Sequence, residues 1–365
     1  MINIVNLTSA HPRYDTRIFH KMCKSLAKKY TVALIVADGN GDEIKENINI
    51  YDVGKVNSRK DRILNTTKKV LTKAIELDAD LYHLHDPELI PIGIKLKKLG
   101  KKVIFDSHED VPKQITAKHY LNNITKKILS FLYSKFEIYS LKKFDYVVSA
   151  TPIIRDKFRN YGINSIDINN FPILDDFINL IPNYNSKTIC YIGTLYETRG
   201  IKEIVQAVED LDVKLIIAGK FYDKKYENEV MNLKGWEKVD FRGFVDKEEI
   251  KNILKESIIG CVTLYPTPSY IEAYPVKMFE YMSAGLAVIS SNFPLYEKFV
   301  LGSKCGVCVN PLDVVEISKA IENLMKDLEK VKKMGMNGKQ AIKEKYNWEN
   351  EEKKLIELYK KVLND

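Results

Sequence analysis

Short apolar runs alternate with amphipathic stretches along the first half of the chain. The runs Ile2–Leu7, Val32–Val36, Leu81–Leu84, Val103–Phe105, Tyr146–Ser149 and Ser165–Ile168 predict strands. Between them, Arg17–Lys29, Asp61–Leu77, Glu88–Leu99, Asn123–Lys143 and Pro152–Tyr161 carry apolar positions at helical spacing. Strands and helices alternating in this way mean βαβ units and a parallel sheet covered on both faces. The pattern then restarts. Thr188–Ile192, Lys214–Ala218, Val239–Phe241, Ile259–Val262 and Ala287–Ile289 read as strands. Ile201–Glu209, Lys224–Leu233, Lys247–Glu256, Val276–Met282 and Asp313–Met325 read as helices. Asn169–Ser186, with Pro172, Pro182 and several Asn and Asp, has the composition of a linker. The predicted fold class is α/β: two doubly wound, Rossmann-like domains, residues 1–170 and 171–347, facing across a cleft at their strand carboxyl ends. Trp348–Leu363 is one more amphipathic helix, beyond what the second sheet requires.

Composition agrees with two ordinary domains. The chain has 365 residues, 45% of them hydrophobic and 29% charged, enough apolar material for two cores. The first residues lack the basic flank and long apolar stretch of a signal peptide, and no run of 18 apolar residues occurs. The expected location is cytoplasmic, including the inner face of the plasma membrane. Cys23, Cys190, Cys261, Cys305 and Cys308 are odd in number and scattered, which fits a reducing compartment. Cys305 and Cys308 form a lone C-x-x-C without the second pair a zinc site needs, so buried small apolar residues are expected there.

Charge is uneven. Residues 1–170 hold 29 Lys/Arg and 19 Asp/Glu, whereas the remainder holds 28 and 30, so the net +8 resides in the first half. That half either faces an anionic partner, a phospholipid surface or a diphosphate-linked acceptor, or is simply a solvated lysine-rich surface. No nucleic-acid module is present, so nucleic acid is not an expected partner. Asn123–Lys143 interleaves lysines with Ile, Leu, Phe and Tyr, which suits either a face resting on a bilayer or a core helix with solvated lysines.

The most informative segment is YIEAYPVKMFEYMSAGLAVISS, Tyr270–Ser291. Pro275 suits a helix start, which places Glu272 in the preceding loop and Glu280 inside the helix. A nucleotide sugar presents vicinal hydroxyls on its hexose and its ribose, and two carboxylates at this separation can accept from one set each. Free amides at the helix start, with Lys277 in its first turn, suit the diphosphate between them. Two solvated helix glutamates would look the same, but the apolar run Ala284–Ile289 that follows makes a helix turning into a buried strand. Upstream, Gly193 and Thr194 end a strand and Arg199 precedes a helix, so amides and a guanidinium converge where a pyrophosphate can sit.

In the first half, His108 and Glu109 follow the apolar strand that ends at Phe105, and His108 is the histidine expected nearest the reacting sugar. His83 and His85 alternate onto one face of their strand, as a metal pair does, but no third ligand has a clear position and no metal is expected. Arg13, Asp15 and Arg17 lie in the first strand–helix turn beside His11, with Arg17 either a phosphate contact or a local cap. His20 and His119 read as ordinary surface or core residues.

Over nearly its whole length the chain resembles the retaining GT-B glycosyltransferases of family 4, the glycosyl transferases group 1. The E-x7-E spacing of Glu272 and Glu280, the small-Gly-x-x-Val-Ile run after it and the segment Gly306–Pro311 carry the resemblance. Asp15–Phe19, His85–Leu89 and Asp106–Asp110 are similar to the bacterial surface-polysaccharide branch. The resemblance implies that Glu272 contacts the donor sugar, Glu280 the ribose and Arg199 the diphosphate, and that His108 borders the sugar. It also implies that residues 348–365 pack on the first domain. Two departures stand out: Thr194 occupies the place of a common phosphate-binding arginine, and Arg13 and Tyr14 stand near a turn that usually holds a glycine pair.

The expected activity is transfer of a sugar, with retention, from a nucleotide diphosphate sugar to a glycan or lipid-diphosphate acceptor in surface-polysaccharide synthesis. His108, Glu272 and Arg199 are the expected catalytic residues. Gly193, Thr194, Lys277 and Glu280 join Glu272 and Arg199 around the donor, and Arg13, Asp15, Arg17, His85 and Glu109 are acceptor-side candidates. No metal or other cofactor is expected. A nucleotide-sugar 2-epimerase on the same fold, or a non-catalytic nucleotide-binding member, are the alternatives.

Overall fold

A computed structural model describes residues 2–117 and 122–364; His119 lies outside them. The chain divides into two compact units, one of Met1–Asn170 with Glu349–Asp365 and one of Phe171–Trp348. Both are Rossmann-like α/β units.

The N-terminal unit is built on β1 (Asn3–Leu7), β2 (Thr31–Val36), β3 (Glu43–Lys45), β4 (Ile48–Asp52), β5 (Leu81–Leu84), β6 (Lys102–Ser107), β7 (Tyr146–Ser149) and β8 (Ser165–Asp167). Their order across the sheet is β3-β4-β2-β1-β5-β6-β7-β8, parallel except for β3. The β3–β4 hairpin was not legible in the apolar pattern: β3 is polar and its turn rests on Glu46 and Asn47 at positive φ. The helix over Val111–Ala117 was also missed. Side chains on both faces of these strands are buried, Val5, Leu7, Ile35, Tyr82, Leu84 and Phe105 on one and Ile4, Leu34, Ile104 and Val148 on the other, which fits a parallel sheet covered by helices on each side.

The C-terminal unit holds β9 (Thr188–Ile192), β10 (Lys214–Ala218), β11 (Val239–Gly243), β12 (Ile259–Val262), β13 (Ala287–Ser291) and β14 (Gly306–Val309). Their order is β11-β10-β9-β12-β13-β14, all parallel. Along β9 the pleat sends Ile189 and Tyr191 to one core and Cys190 to the other. Gly306–Val309 forms an edge strand, and helices over Leu174–Phe177, Pro294–Val300 and Leu328–Glu344 add to those expected. Cys190, Cys261 and Cys305 are buried and free, and burial pushes the Cys305 thiol up to about 12.

The helix Trp348–Asn364 contributes Tyr359, whose hydroxyl lies 2.7 Å from His83 Nδ1 on β5. Glu351, on the same helix, accepts from the Asn169 amide at 2.8 Å. No helix among the described residues is long and apolar enough to cross a membrane.

Candidate functional site

Each sheet reverses its strand order once. In the N-terminal unit the reversal lies between β1 and β5, and in the C-terminal unit between β9 and β12. Loops leaving such neighbouring strands in opposite directions open a crevice at their carboxyl ends, where ligands of this architecture bind. Both clusters below sit at these points.

In the C-terminal unit, β9 ends at Gly193, whose φ of 136° few other residues adopt. Lys277 reaches over it: a Cβ built on Gly193 would lie 2.9 Å from Lys277 Nζ. Lys277 is the second residue of the helix Val276–Ala284, with Pro275 at the N-cap and Gly285 in the left-handed conformation closing the far end. Its ammonium nitrogen is buried without a hydrogen-bond partner and lies 3.6 Å from the centre of the Tyr191 ring. Burial first, and then the like charge of Arg199, holds the Lys277 pKa well below its ordinary value, against a smaller opposing pull from Glu280.

Arg199 ends the short turn Glu197–Arg199, and Gly200 in the left-handed conformation leads into the helix Ile201–Ala207. Only glycine permits this entry, because a Cβ at Gly200 would meet the Thr263 carbonyl oxygen at 2.1 Å. The guanidinium lies 4.7 Å from the Tyr270 ring centre, and its buried Nε has no partner. Glu272 caps a short helix over Pro268–Ile271, and Glu280 lies at the fifth residue of the helix Val276–Ala284; both are half-buried. The Thr194 carbonyl accepts from the Tyr191 hydroxyl at 3.0 Å, which fixes the loop after Gly193. Two cationic side chains with unsatisfied buried donors therefore converge beside a glycine turn. Such a place takes an anion.

In the N-terminal unit the hub is Asp106, fully buried at the end of β6. Arg17 grips it with Nε and Nη2, each at 2.8 Å, and donates Nη1 to the Ile168 carbonyl at 2.9 Å. His108 Nε2 and His85 Nδ1 lie 3.1 and 3.3 Å from Asp106 Oδ2. Burial alone would raise the Asp106 pKa, but the Arg17 charge and the His108 contact hold it well below the usual range. His83, His85 and Asp106 place ligand-type atoms within 4.8 Å of one another, so Asp106 is the third member that strand alternation did not reveal. Protein groups engage part of this set: Arg17 takes both Asp106 oxygens, Asn6 lies 3.0 Å from His85 Nε2 and Tyr359 meets His83 Nδ1, while His83 Nε2 and His85 Nδ1 are buried without a hydrogen-bond partner.

The remaining candidates resolve into distinct places. Arg17 is a buried ion-pair partner. Arg13 is buried and engaged by Asp38 through two contacts and by Glu43 at 2.7 Å, so it braces the loop before β3. Asp15 caps the first helix by accepting from the Arg17 and Ile18 amides at 2.8 and 2.9 Å. His85 is buried, Glu109 is exposed, and His20 is exposed.

Sequence reasoning left His11 and Asp86 out of the site. His11 Nδ1 lies 2.9 Å from Asp86 Oδ1, and Asp86 Oδ2 accepts from the Thr8 hydroxyl at 2.8 Å and the Ser9 amide at 2.6 Å. Burial alone would lower the His11 pKa, yet the Asp86 contact and charge raise it. The sequence signals were a histidine in the turn after the first strand and the place of Asp86 in the His85–Leu89 motif.

Two family models match the chain: Glycosyltransferase Family 4 over residues 16–169 and Glycosyl transferases group 1 over residues 175–341. An uncharacterized glycosyltransferase of Methanocaldococcus jannaschii is 24% identical over 294 residues, covering 75% of this chain and 71% of that one. Sucrose-phosphate synthase from Thermosynechococcus elongatus has a similar structure, with a TM-score of 0.80 at 16% identity and full coverage of both chains. HepE of Anabaena, solved in complex with UDP-glucose, superposes with a TM-score of 0.75 at 14% identity, covering 99% of this chain and 100% of that one.

Proposed function

This chain belongs to the GT-B superfamily of glycosyltransferases and is a hexosyltransferase-type enzyme, and from that premise we propose that it transfers a sugar with retention from a nucleotide diphosphate donor to a glycan or lipid-linked acceptor. The observation that carries the donor half is the pair Lys277 and Arg199, with unsatisfied buried donors beside Gly193. The diphosphate lies against these two cations, with Lys277 taking the place left by Thr194. Glu272 accepts from hydroxyls of the sugar and Glu280 from those of the ribose. The complex of HepE with UDP-glucose supports a donor of this class.

Breaking the glycosyl–phosphate bond builds negative charge on the leaving diphosphate, and fixed cations and amides stabilise it. Arg199 and Lys277 supply that charge, so the reaction runs without a divalent metal and persists in a chelator. In a front-face substitution the new C1–O bond forms on the side from which the leaving oxygen departs, and that phosphate oxygen receives the acceptor proton. His108 helps position the reacting end. The acceptor belongs to bacterial surface-polysaccharide synthesis at the inner face of the membrane, which the motifs Asp15–Phe19, His85–Leu89 and Asp106–Asp110 support.

The test is a panel of nucleotide sugars read by thermal shift, followed by transfer assays. Glu272→Ala and Arg199→Ala should abolish transfer while the thermal unfolding remains cooperative; full activity in both overturns the donor site. The anomeric configuration of the product decides retention. Turnover of donor with no acceptor present would mark an epimerase instead, and nucleotide binding without turnover on any acceptor would mark a non-catalytic member.

A further inference from the structure

A cavity of about 670 Å³ in the N-terminal unit adjoins the acceptor-side cluster. One end is formed by Ala10 and Asp86, the residue next to His11 and the residue that holds it. Its walls combine apolar side chains, Ile63, Leu64 and Phe136 among them, with the cations Arg59, Arg62, Lys68 and Lys95. The two lining acids are engaged: Glu88 by Arg62 at 2.6 Å, and Asp86 by His11. Arg59, Lys68 and Lys95 make no ion pair among the described residues and lie exposed. Apolar walls rimmed by unspent positive charge suit an amphiphile with an anionic head.

The helix Asn123–Leu141, which supplies Tyr133 and Phe136 to the groove, turns a second apolar face outward. Ile124, Phe131 and Tyr139 on that face are 73%, 60% and 64% exposed. Lys127 flanks it, the Lys135 ammonium lies 5.3 Å from the Phe131 ring centre, and the one acid of the helix, Glu137, is buried against Lys157. Apolar side chains exposed beside lysines suit contact with anionic lipid.

We propose that the groove holds one phosphorylated lipid, its hydrocarbon chain along Ile63, Leu64 and Phe136 and its phosphate on Arg59, Lys68 and Lys95. The lipid enters from a membrane surface beneath the exposed face of Asn123–Leu141, and its head is delivered beside His11. This rests on the lipid-linked acceptor reading and names the residues that would serve it.

Farnesyl diphosphate is the probe, added to the full chain saturated with UDP so that the donor site is filled. It should bind, UDP should not displace it, and inorganic pyrophosphate should bind at least tenfold more weakly because it lacks the chain. Leu64→Asp, and separately the charge reversal Lys68→Glu with Lys95→Glu, should each weaken farnesyl diphosphate at least tenfold and leave UDP binding unchanged. Lys68 and Lys95 are exposed, so their reversal keeps the fold even if Leu64→Asp does not. Displacement by UDP, or wild-type affinity in the folded variants, overturns the proposal. UDP binding without farnesyl diphosphate binding sinks the groove alone, whereas the converse sinks the donor reading alone.

Discussion

The rings of His11 and His108 lie with centroids 4.9 Å apart, tilted by 46°, and each is set against its own buried aspartate, Asp86 and Asp106. Neither aspartate is adjacent in sequence to the histidine it orients; strands β1, β5 and β6 bring the four together. The pair forms the rim of the N-terminal cluster, and both imidazoles remain partly open, at 28% and 22% of their side-chain surface.

Asp86 favours the charged form of His11, so Asp86→Asn should lower the His11 pKa, read by NMR titration of the imidazole. The pair also has a pH window. The raised His11 pKa contributes stability that is complete below the unfolded value of about 6.5 and fades as pH rises through the folded value. The depressed Asp86 pKa contributes stability present above about 3.9, which is lost as pH falls toward its lower folded value. The wild type minus Asp86→Asn stability difference should therefore peak between about pH 4 and 6.5. A difference flat with pH would dissolve the coupling.

Burial and the charge of Arg199 disfavour the charged form of Lys277, and a bound diphosphate favours it. Binding of UDP should therefore take up a proton, measured by calorimetry in buffers of different ionisation heat, and should tighten as pH falls. Lys277→Met should remove the uptake and weaken UDP by about 1.5–3 kcal/mol, the worth of a hydrogen bond to a charged group. In the free protein the sign is opposite: the unfolded chain binds the proton more readily, so the Lys277 contribution to stability rises with pH, and Lys277→Met should raise the melting temperature. Unchanged proton uptake in the variant would refute this role.

Gly193→Ala attacks the same place through the backbone. Its φ of 136° costs an L-residue about 1–3 kcal/mol, and the added methyl would push aside the Lys277 ammonium 2.9 Å away. Chemical denaturation should show the stability loss, and nucleotide titration a weaker affinity. Wild-type binding in this variant would mean that Lys277 does not meet the ligand.

Tyr359→Phe tests how firmly the terminal helix belongs to the N-terminal unit. The hydroxyl is buried and meets His83 Nδ1 at 2.7 Å, so its removal leaves a ring nitrogen unsatisfied. The expected loss is about 1–3 kcal/mol in urea unfolding. A neutral result would place that helix's stability in Leu355 and Val362 packing instead.

The periodicities of the chain determined the alternation of strands and helices, because burial on both faces of a parallel strand demands a short continuous apolar run. Where that demand is weak the elements were hidden: polar β3 depends on its hairpin turn, and β14 is an edge strand. The E-x7-E spacing, Gly193, Lys277 and Arg199 were readable because one local stretch of backbone carries each turn. What only the tertiary structure decided is which strands are neighbours, since sheet order is not chain order. That choice sets Asp86 beside His11, turns Arg17 inward onto Asp106, spends Arg13 on Asp38 and Glu43, and buries the Lys277 ammonium against Tyr191. A charged side chain's chemistry follows from what it packs against, and no one-dimensional pattern records that.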